Sequence, residues 1–122
     1  MLTGASLDEV CLLNQVKKEG VASFKSRTAK SIHIQEGVGD IKDYDILGIN
    51  EFTSERKIMS VMVQDKQTGK YYVFAKGAES KIMEKLTPES AQSALKKRIE
   101  ESVFSFGGQG LRTLVFAMRE MS

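Results

Sequence analysis

Two apolar stretches, RKIMSVMVQ at residues 56–64 and YYVFA at residues 71–75, are joined by DKQTGK at residues 65–70. Each stretch places apolar side chains on both faces of an extended chain, and Gln67-Thr68-Gly69 has the composition of a tight turn. The pattern predicts an antiparallel hairpin. Because strands that are apolar on both sides are usually covered on both sides, we expect this hairpin near the centre of a helix-covered sheet.

The flanking sequence predicts helices and further strands around the hairpin. Ser6 and Glu9 form a capping box for a first helix, and apolar residues alternate after Gly20. Thr87 and Pro88 predict the start of a later helix, which the glycines after Phe106 end. The predicted helices are 7–19, 78–85 and 88–104, and the other predicted strands are 21–27, 31–35, 44–49 and 111–118. This order indicates an α+β fold with a largely antiparallel, twisted sheet flanked by helices.

Composition limits the function classes. The chain has 122 residues, which suits one domain over 1–122, and its net charge of +2 does not call for a nucleic acid partner. No apolar run approaches the roughly 20 residues of a membrane-spanning helix, so we expect no direct membrane insertion by this chain. The single cysteine excludes an internal disulfide framework.

No residue pattern predicts a catalytic or metal site. His33, the only histidine, alternates with Ile32 and Ile34, which favours a surface or half-buried strand residue over a general base. Cys11 lies among apolar residues of the first predicted helix, which favours core packing over reactivity. The acidic residues show no metal-ligand spacing, and the glycines at 107–110 lack the strand-loop-helix order of a phosphate loop.

Basic residues at the ends of the apolar strands are more informative. Lys57 begins one hairpin strand and Lys76 ends the other, so antiparallel pairing brings their ammonium groups within roughly 7–10 Å. Arg112 begins the last predicted strand, and Phe52 precedes the hairpin. An exposed ring beside cations would stack on a base while the cations meet phosphate. The alternative is that the lysines extend to solvent and Phe52 belongs to the core.

Five segments in the same order resemble the nucleotide-binding domain of P-type ATPases. They are Ser6-Leu7-Asp8-Glu9, Arg27-Thr28, the run EFTSERKIMSV at 51–61, the run AKGAES at 75–80 and GLRTL at 110–114. Among the branches of the family, the set is most similar to the type IV phospholipid flippases. Three positions depart from that branch: Leu7 replaces a proline, Ile58 replaces an arginine, and Glu79 stands where aspartate is more frequent.

The resemblance implies a role for each matched residue. Phe52 would stack on adenine, and Lys76 would line the base and ribose pocket. Gly77 would let the nucleotide approach the backbone, and Lys57 would place positive charge beside it. Three further residues complete the implied set: Arg112 at the ribose or phosphates, Glu9 on the adenine side and Ser54 at the pocket rim.

The resemblance also implies a larger parent protein. The family's phosphorylated Asp-Lys-Thr-Gly segment, actuator loop and transmembrane helices are absent from the sequence, so we expect a fragment that holds ATP without hydrolysing it. Its partners would be ATP and the phosphorylation and actuator domains of the parent, an integral membrane protein with this domain in the cytosol. Mg²⁺ would arrive with ATP. A cation-pumping branch and, in a different class, a protein-interaction module remain alternatives.

Overall fold

The computed structural model describes residues 7–39 and 41–121, and this part of the chain forms an α+β fold. The helices are α1 Leu7–Lys18, α2 Glu79–Met83, α3 Pro88–Ala91 and α4 Ala94–Gly108. The strands are β1 Ala22–Arg27, β2 Ser31–Glu36, β3 Ile41–Asn50, β4 Ile58–Asp65, β5 Tyr71–Gly77 and β6 Val115–Met121. The strands follow chain order in one six-stranded antiparallel sheet with flanking helices, which confirms the predicted fold class. Ser6, assigned above to the cap of the first helix, lies outside the described residues.

The chain divides into two compact units. The first contains the described part of 7–47 together with 63–71, and in it β1, β2 and β3 pair antiparallel. His33 lies opposite Asp43 in the β2–β3 register, and its Nδ1 pairs with the Asp43 carboxylate. Lys42 pairs with Glu36 at 3.2 Å, and the hydrogen bond and charge of Glu36 raise the pKa of Lys42. These contacts across neighbouring strands fix the register of the first unit.

The hairpin turn lies in the first unit and forms where the sequence predicts it. Gly69 donates its backbone N–H to the Asp65 carbonyl at 2.8 Å, with φ of 75°. The Asp65 carboxylate accepts from the backbone N–H of Gln67 at 2.9 Å. Asp65 is buried, and its carboxylate, which would otherwise destabilise the fold, also accepts from the backbone N–H of Thr68 at 3.4 Å. The predicted hairpin between β4 and β5 is therefore confirmed.

The second unit contains 48–62 and 72–121 and holds an apolar core. Its centre is made by three buried side chains from three different elements, namely Ile58 of β4, Ile82 of α2 and Val115 of β6. The half-buried residues Ala75, Met83, Ile99, Val103 and Ala117 pack around them. Burial of these apolar side chains stabilises the packing of α2 and α4 against the strands of this unit.

The helix predicted over 88–104 is two helices. The Thr87 hydroxyl accepts from Ser90 N–H and caps α3, but α3 ends at Ala91. The Ser93 hydroxyl accepts from Lys96 N–H at 3.2 Å and begins α4 as a second N-cap. Helix α4 then includes Gly107 and Gly108, and the turn after it carries Gly110 at φ of 77°. A serine that competes for the backbone therefore broke the helix where apolar periodicity predicted continuity.

Burial differs from the sequence expectation at several positions. β4 and β5 occupy interior positions of the sheet, yet Met62 and Phe74 remain exposed, so the hairpin is not covered on both sides along its whole length. Cys11 is exposed on α1, so the expectation of core packing for it is wrong. Among the described residues, no helix combines the length and apolar character needed to cross a bilayer.

The open end of the hairpin contains a close backbone contact in the second unit. Gly77 is buried, and a Cβ atom on it would overlap the Lys57 carbonyl oxygen and lie 3.0 Å from Ile58 Cα. The next residue, Ala78, donates its N–H to the same Lys57 carbonyl at 3.2 Å. The end of β5 therefore passes too close to the start of β4 for any side chain at position 77.

We predict that Gly77→Ala lowers the free energy of unfolding by about 2 kcal/mol, because backbone atoms must move to admit the methyl group. Gly48→Ala is the matched control, since Gly48 is a strand glycine of the same unit with nothing within 4 Å of its Cβ position. Urea unfolding followed by circular dichroism measures both variants. Equal stability of the two variants would contradict the close contact.

Candidate functional site

Phe52 lies in the connection between β3 and β4, and its ring is exposed. Its exposed fraction is 58%, and β3 ends two residues earlier at Asn50. The alternative that Phe52 belongs to the core is therefore wrong. A large aromatic ring in water loses the benefit of burial, so this position is available for a stacking contact.

The segment after Phe52 is a single tight turn. Thr53 accepts two hydrogen bonds from the residues that follow: its carbonyl oxygen from Lys57 N–H at 2.7 Å, and its Oγ1 from Arg56 N–H at 3.0 Å. Ser54 is exposed within this turn. The turn therefore contains Ser54 and Lys57 and directly follows Phe52, so three of the predicted site residues lie on one short segment.

Lys57 has an uncommon backbone conformation. Its φ is 59°, the left-handed region, and no other non-glycine residue in 7–39 or 41–121 has a positive φ. This conformation costs an L-residue roughly 1–2 kcal/mol, because Cβ approaches the following carbonyl oxygen. Glycine would avoid that strain, so a lysine here is consistent with a function for its side chain.

Lys76 and Gly77 end β5 beside Lys57. The bond from Ala78 N–H to the Lys57 carbonyl shows that the two strand ends meet, as antiparallel pairing predicts. The Lys57 side chain is exposed and that of Lys76 is half-buried. The contact with Lys57 supplies a structural reason for glycine at position 77, while a role for Gly77 at a nucleotide stays a prediction.

Arg112 is not the first residue of the last strand, which corrects the sequence prediction. β6 begins at Val115, and Arg112 lies in the connection after α4 because Gly110 and the residues following it form no ladder. Arg112 borders a groove of about 590 Å³ beside α4, and none of the other predicted site residues lines this groove. Its remaining walls are mostly apolar and comprise Leu95, Arg98, Ile99, Ser102, Val103, Phe106, Thr113, Leu114, Val115 and Phe116.

Glu9 belongs to the first unit, where it is half-buried near the start of α1. The structure therefore brings Phe52, Ser54, Lys57, Lys76 and Gly77 together along two joined segments of the second unit. The proposed roles of Glu9 and Arg112 rest on the sequence resemblance.

Sequence reasoning missed two residues of the turn. Thr53 accepts both turn hydrogen bonds, and the Arg56 Nε donates to the Ile58 carbonyl at 3.1 Å. The Arg56 Nη2 is inaccessible to solvent and has no hydrogen-bond partner among the described residues. A threonine three residues before the bonded N–H is a capping signal, and it could have identified Thr53.

No group of three or more His, Cys, Asp and Glu side chains is placed to hold a metal ion within the described part of the chain. His33 is half-buried on its strand, as expected, and is paired with Asp43. The connection that contains Phe52 and the adjoining end of β5 carry an exposed aromatic ring, exposed hydroxyls and two lysines, which are side chains suited to ligand binding.

Comparison with known proteins agrees with the motifs. The family model described as P-type ATPase, cytoplasmic domain N, matches residues 5–122. "Probable phospholipid-transporting ATPase IM" from Homo sapiens is 35% identical over 116 residues, which cover 95% of this chain and 9% of that protein. "Phospholipid-transporting ATPase IK" from Homo sapiens is 36% identical over 118 residues, covering 97% of this chain and 9% of that protein.

A fungal relative gives the same match. "Phospholipid-transporting ATPase dnf2" from Schizosaccharomyces pombe (strain 972 / ATCC 24843) is 33% identical over 117 residues, covering 96% of this chain and 8% of that protein. The chain thus spans about 9% of the length of the curated relatives it matches. On the family match over nearly its whole length, the chain belongs to the cytoplasmic N domains of P-type ATPases.

Proposed function

We propose that this chain binds ATP and acts as the nucleotide-binding domain of a phospholipid-translocating P-type ATPase. The observation that carries the proposal is the exposed ring of Phe52 on a turn joined to Lys57 and, through the Lys57 carbonyl, to the end of β5. A flat apolar ring and nearby ammonium groups match the two parts of a nucleotide, the base and the phosphates.

Each side chain would have a limited task. Phe52 stacks on adenine, Lys76 lines the base and ribose, and Lys57 balances negative charge. Ser54 offers a hydroxyl at the rim, and Gly77 keeps the backbone close to the base. On the strength of the sequence resemblance, Glu9 would contribute on the adenine side and Arg112 at the ribose or phosphates.

The reaction itself needs the rest of the parent protein. The domain would present the γ-phosphate of ATP to an aspartate of the phosphorylation domain, and the actuator domain would complete the cycle. Mg²⁺ would arrive with ATP, because phosphate oxygens and water are its usual ligands at nucleotide sites. The parent would be an integral membrane protein that hydrolyses ATP, with this domain on the cytosolic side.

The names of the relatives favour lipid over cation transport. The relatives in human and fission yeast are all named phospholipid-transporting ATPases, and each covers at least 95% of this chain. The exposure of Phe52 counts against the interaction-module alternative, which required that ring in the core. Phospholipid translocation is therefore the function we propose for the parent.

Phe52→Ala is expected to weaken ATP binding at least fivefold while changing the free energy of unfolding by less than about 1 kcal/mol. Stacking of a base on an aromatic side chain contributes about 1–3 kcal/mol, whereas an exposed ring contributes little to folding. The matched control is Phe104→Ala, since Phe104 is 85% exposed on α4 and is not among the residues lining the groove. Calorimetric titration with ATP gives the affinities.

The expected dissociation constant of the unaltered chain is on the order of 1 mM, equivalent to about −4 kcal/mol, because the site is open to solvent. AMP should bind at the same residues but more weakly, since it retains the stacking base and has fewer phosphate charges. Equal ATP affinity for Phe52→Ala and the unaltered chain would contradict the adenine contact. A submicromolar constant would contradict the open site.

Lys57→Gly is expected to strengthen the fold and weaken ATP binding at the same time. Glycine relieves the left-handed strain, for a net gain of about 0.5–1 kcal/mol after its greater freedom in the unfolded chain is subtracted. The control is Lys57→Gln, which removes the charge but keeps the strain. Both variants should lose ATP affinity, and only Lys57→Gly should unfold at higher temperature. A lower unfolding temperature for Lys57→Gly than for the unaltered chain would contradict backbone strain at Lys57.

A further inference from the structure

The turn from Thr53 to Lys57 is closed by hydrogen bonds to one residue. The Thr53 carbonyl oxygen accepts from Lys57 N–H at 2.7 Å, and the Thr53 Oγ1 accepts from Arg56 N–H at 3.0 Å. Thr53 is itself exposed, so its side chain adds little buried apolar area. The hydroxyl of Thr53 therefore contributes through its hydrogen bond: it accepts the N–H of Arg56 and restrains the backbone that leads into Lys57.

The same turn must hold Lys57 in a conformation that the residue does not favour. Its φ of 59° lies in the left-handed region, and an unrestrained lysine would return to negative φ. On the far side, the Lys57 carbonyl accepts from Ala78 N–H at 3.2 Å, and Arg56 Nε donates to the Ile58 carbonyl at 3.1 Å. Lys57 is thus restrained from both directions along the chain.

The backbone conformation of Lys57 sets the direction of its side chain. A change of φ from positive to negative moves Cβ to a different side of the turn, and the exposed ammonium group moves with it. The ring of Phe52 precedes the same turn, so a change in the turn also alters the placement of the ring relative to the ammonium group. A hydroxyl at position 53 therefore influences both parts of the proposed site.

We infer that Thr53 is a positioning residue of the nucleotide site: its hydroxyl keeps Lys57 left-handed and thereby aims the Lys57 ammonium group at the bound nucleotide. This inference rests on the proposed ATP binding. Thr53 touches no nucleotide in this account and acts only through the backbone of Arg56 and Lys57.

The test compares Thr53→Val, which keeps the shape and removes the hydroxyl, with Thr53→Ser, which keeps the hydroxyl, both in the 122-residue chain. Two NMR readouts apply to labelled protein. The strength of the intraresidue amide–Hα cross-peak of Lys57 reports the left-handed conformation, and titrations with ATP and AMP report affinity. Amide dispersion shows whether each variant is folded.

We expect Thr53→Val to lose the left-handed signature at Lys57 and to bind ATP at least threefold more weakly. AMP binding should fall less, because AMP has fewer phosphate charges for Lys57 to meet. Thr53→Ser should match the unaltered chain in both readouts. If Thr53→Val unfolds, Thr53→Ala replaces it as the variant without the hydroxyl. Thr53→Asn, whose amide oxygen can accept the same hydrogen bond, is then compared with it and should restore both readouts.

The outcomes separate the inference from the proposed function. Unchanged Lys57 geometry and ATP affinity in Thr53→Val, with ATP binding intact in the unaltered chain, overturn the role of Thr53 alone. Equal losses in Thr53→Val and Thr53→Ser overturn it as well, because the hydroxyl would then be irrelevant. Absence of ATP binding by the folded, unaltered chain overturns the proposed function and, with it, a nucleotide role for Thr53.

Discussion

The backbone contact between Gly77 and Lys57 is the constraint on which the open end of the β4–β5 hairpin depends. The Lys57 carbonyl occupies the space of a Cβ atom at position 77 and accepts the N–H of Ala78. This contact restrains the carbonyl of Lys57, and the turn from Thr53 to Lys57 restrains its N–H. The backbone of Lys57 therefore takes part both in the meeting of the two strand ends and in the geometry of the candidate site. The side chain of the next residue, Ile58, is buried in the core of the second unit.

Local chemistry in the sequence predicted much of the fold. The first helix, the early strands and the β4–β5 hairpin were predictable because apolar periodicity and the turn at Gln67-Thr68-Gly69 indicate the same structure. The break at Ser93 was not, because apolar spacing continues through it while a serine hydroxyl caps a new helix. The late start of β6 was missed because Leu111 to Leu114 are as strand-like in composition as Val115 to Met118.

The geometry around Phe52 and Lys57 was only partly predictable from the sequence. Antiparallel pairing placed Lys57 near the end of β5, and the exposure of Phe52 decided between two alternatives that the sequence left open. A left-handed lysine carries no sequence signal, since glycine and asparagine are the residues that indicate positive φ. Cys11 was misjudged because an apolar neighbourhood along the chain does not establish burial.

Amide chemical-shift mapping of the unaltered chain with ATP tests the central claim most directly. We predict saturable shifts centred on Phe52, Lys57 and Gly77, reproduced by AMP because the base makes the main contact. Shifts confined to residues around the α4 groove would place the nucleotide elsewhere. No shifts at several millimolar ATP in a folded sample would contradict nucleotide binding by this chain.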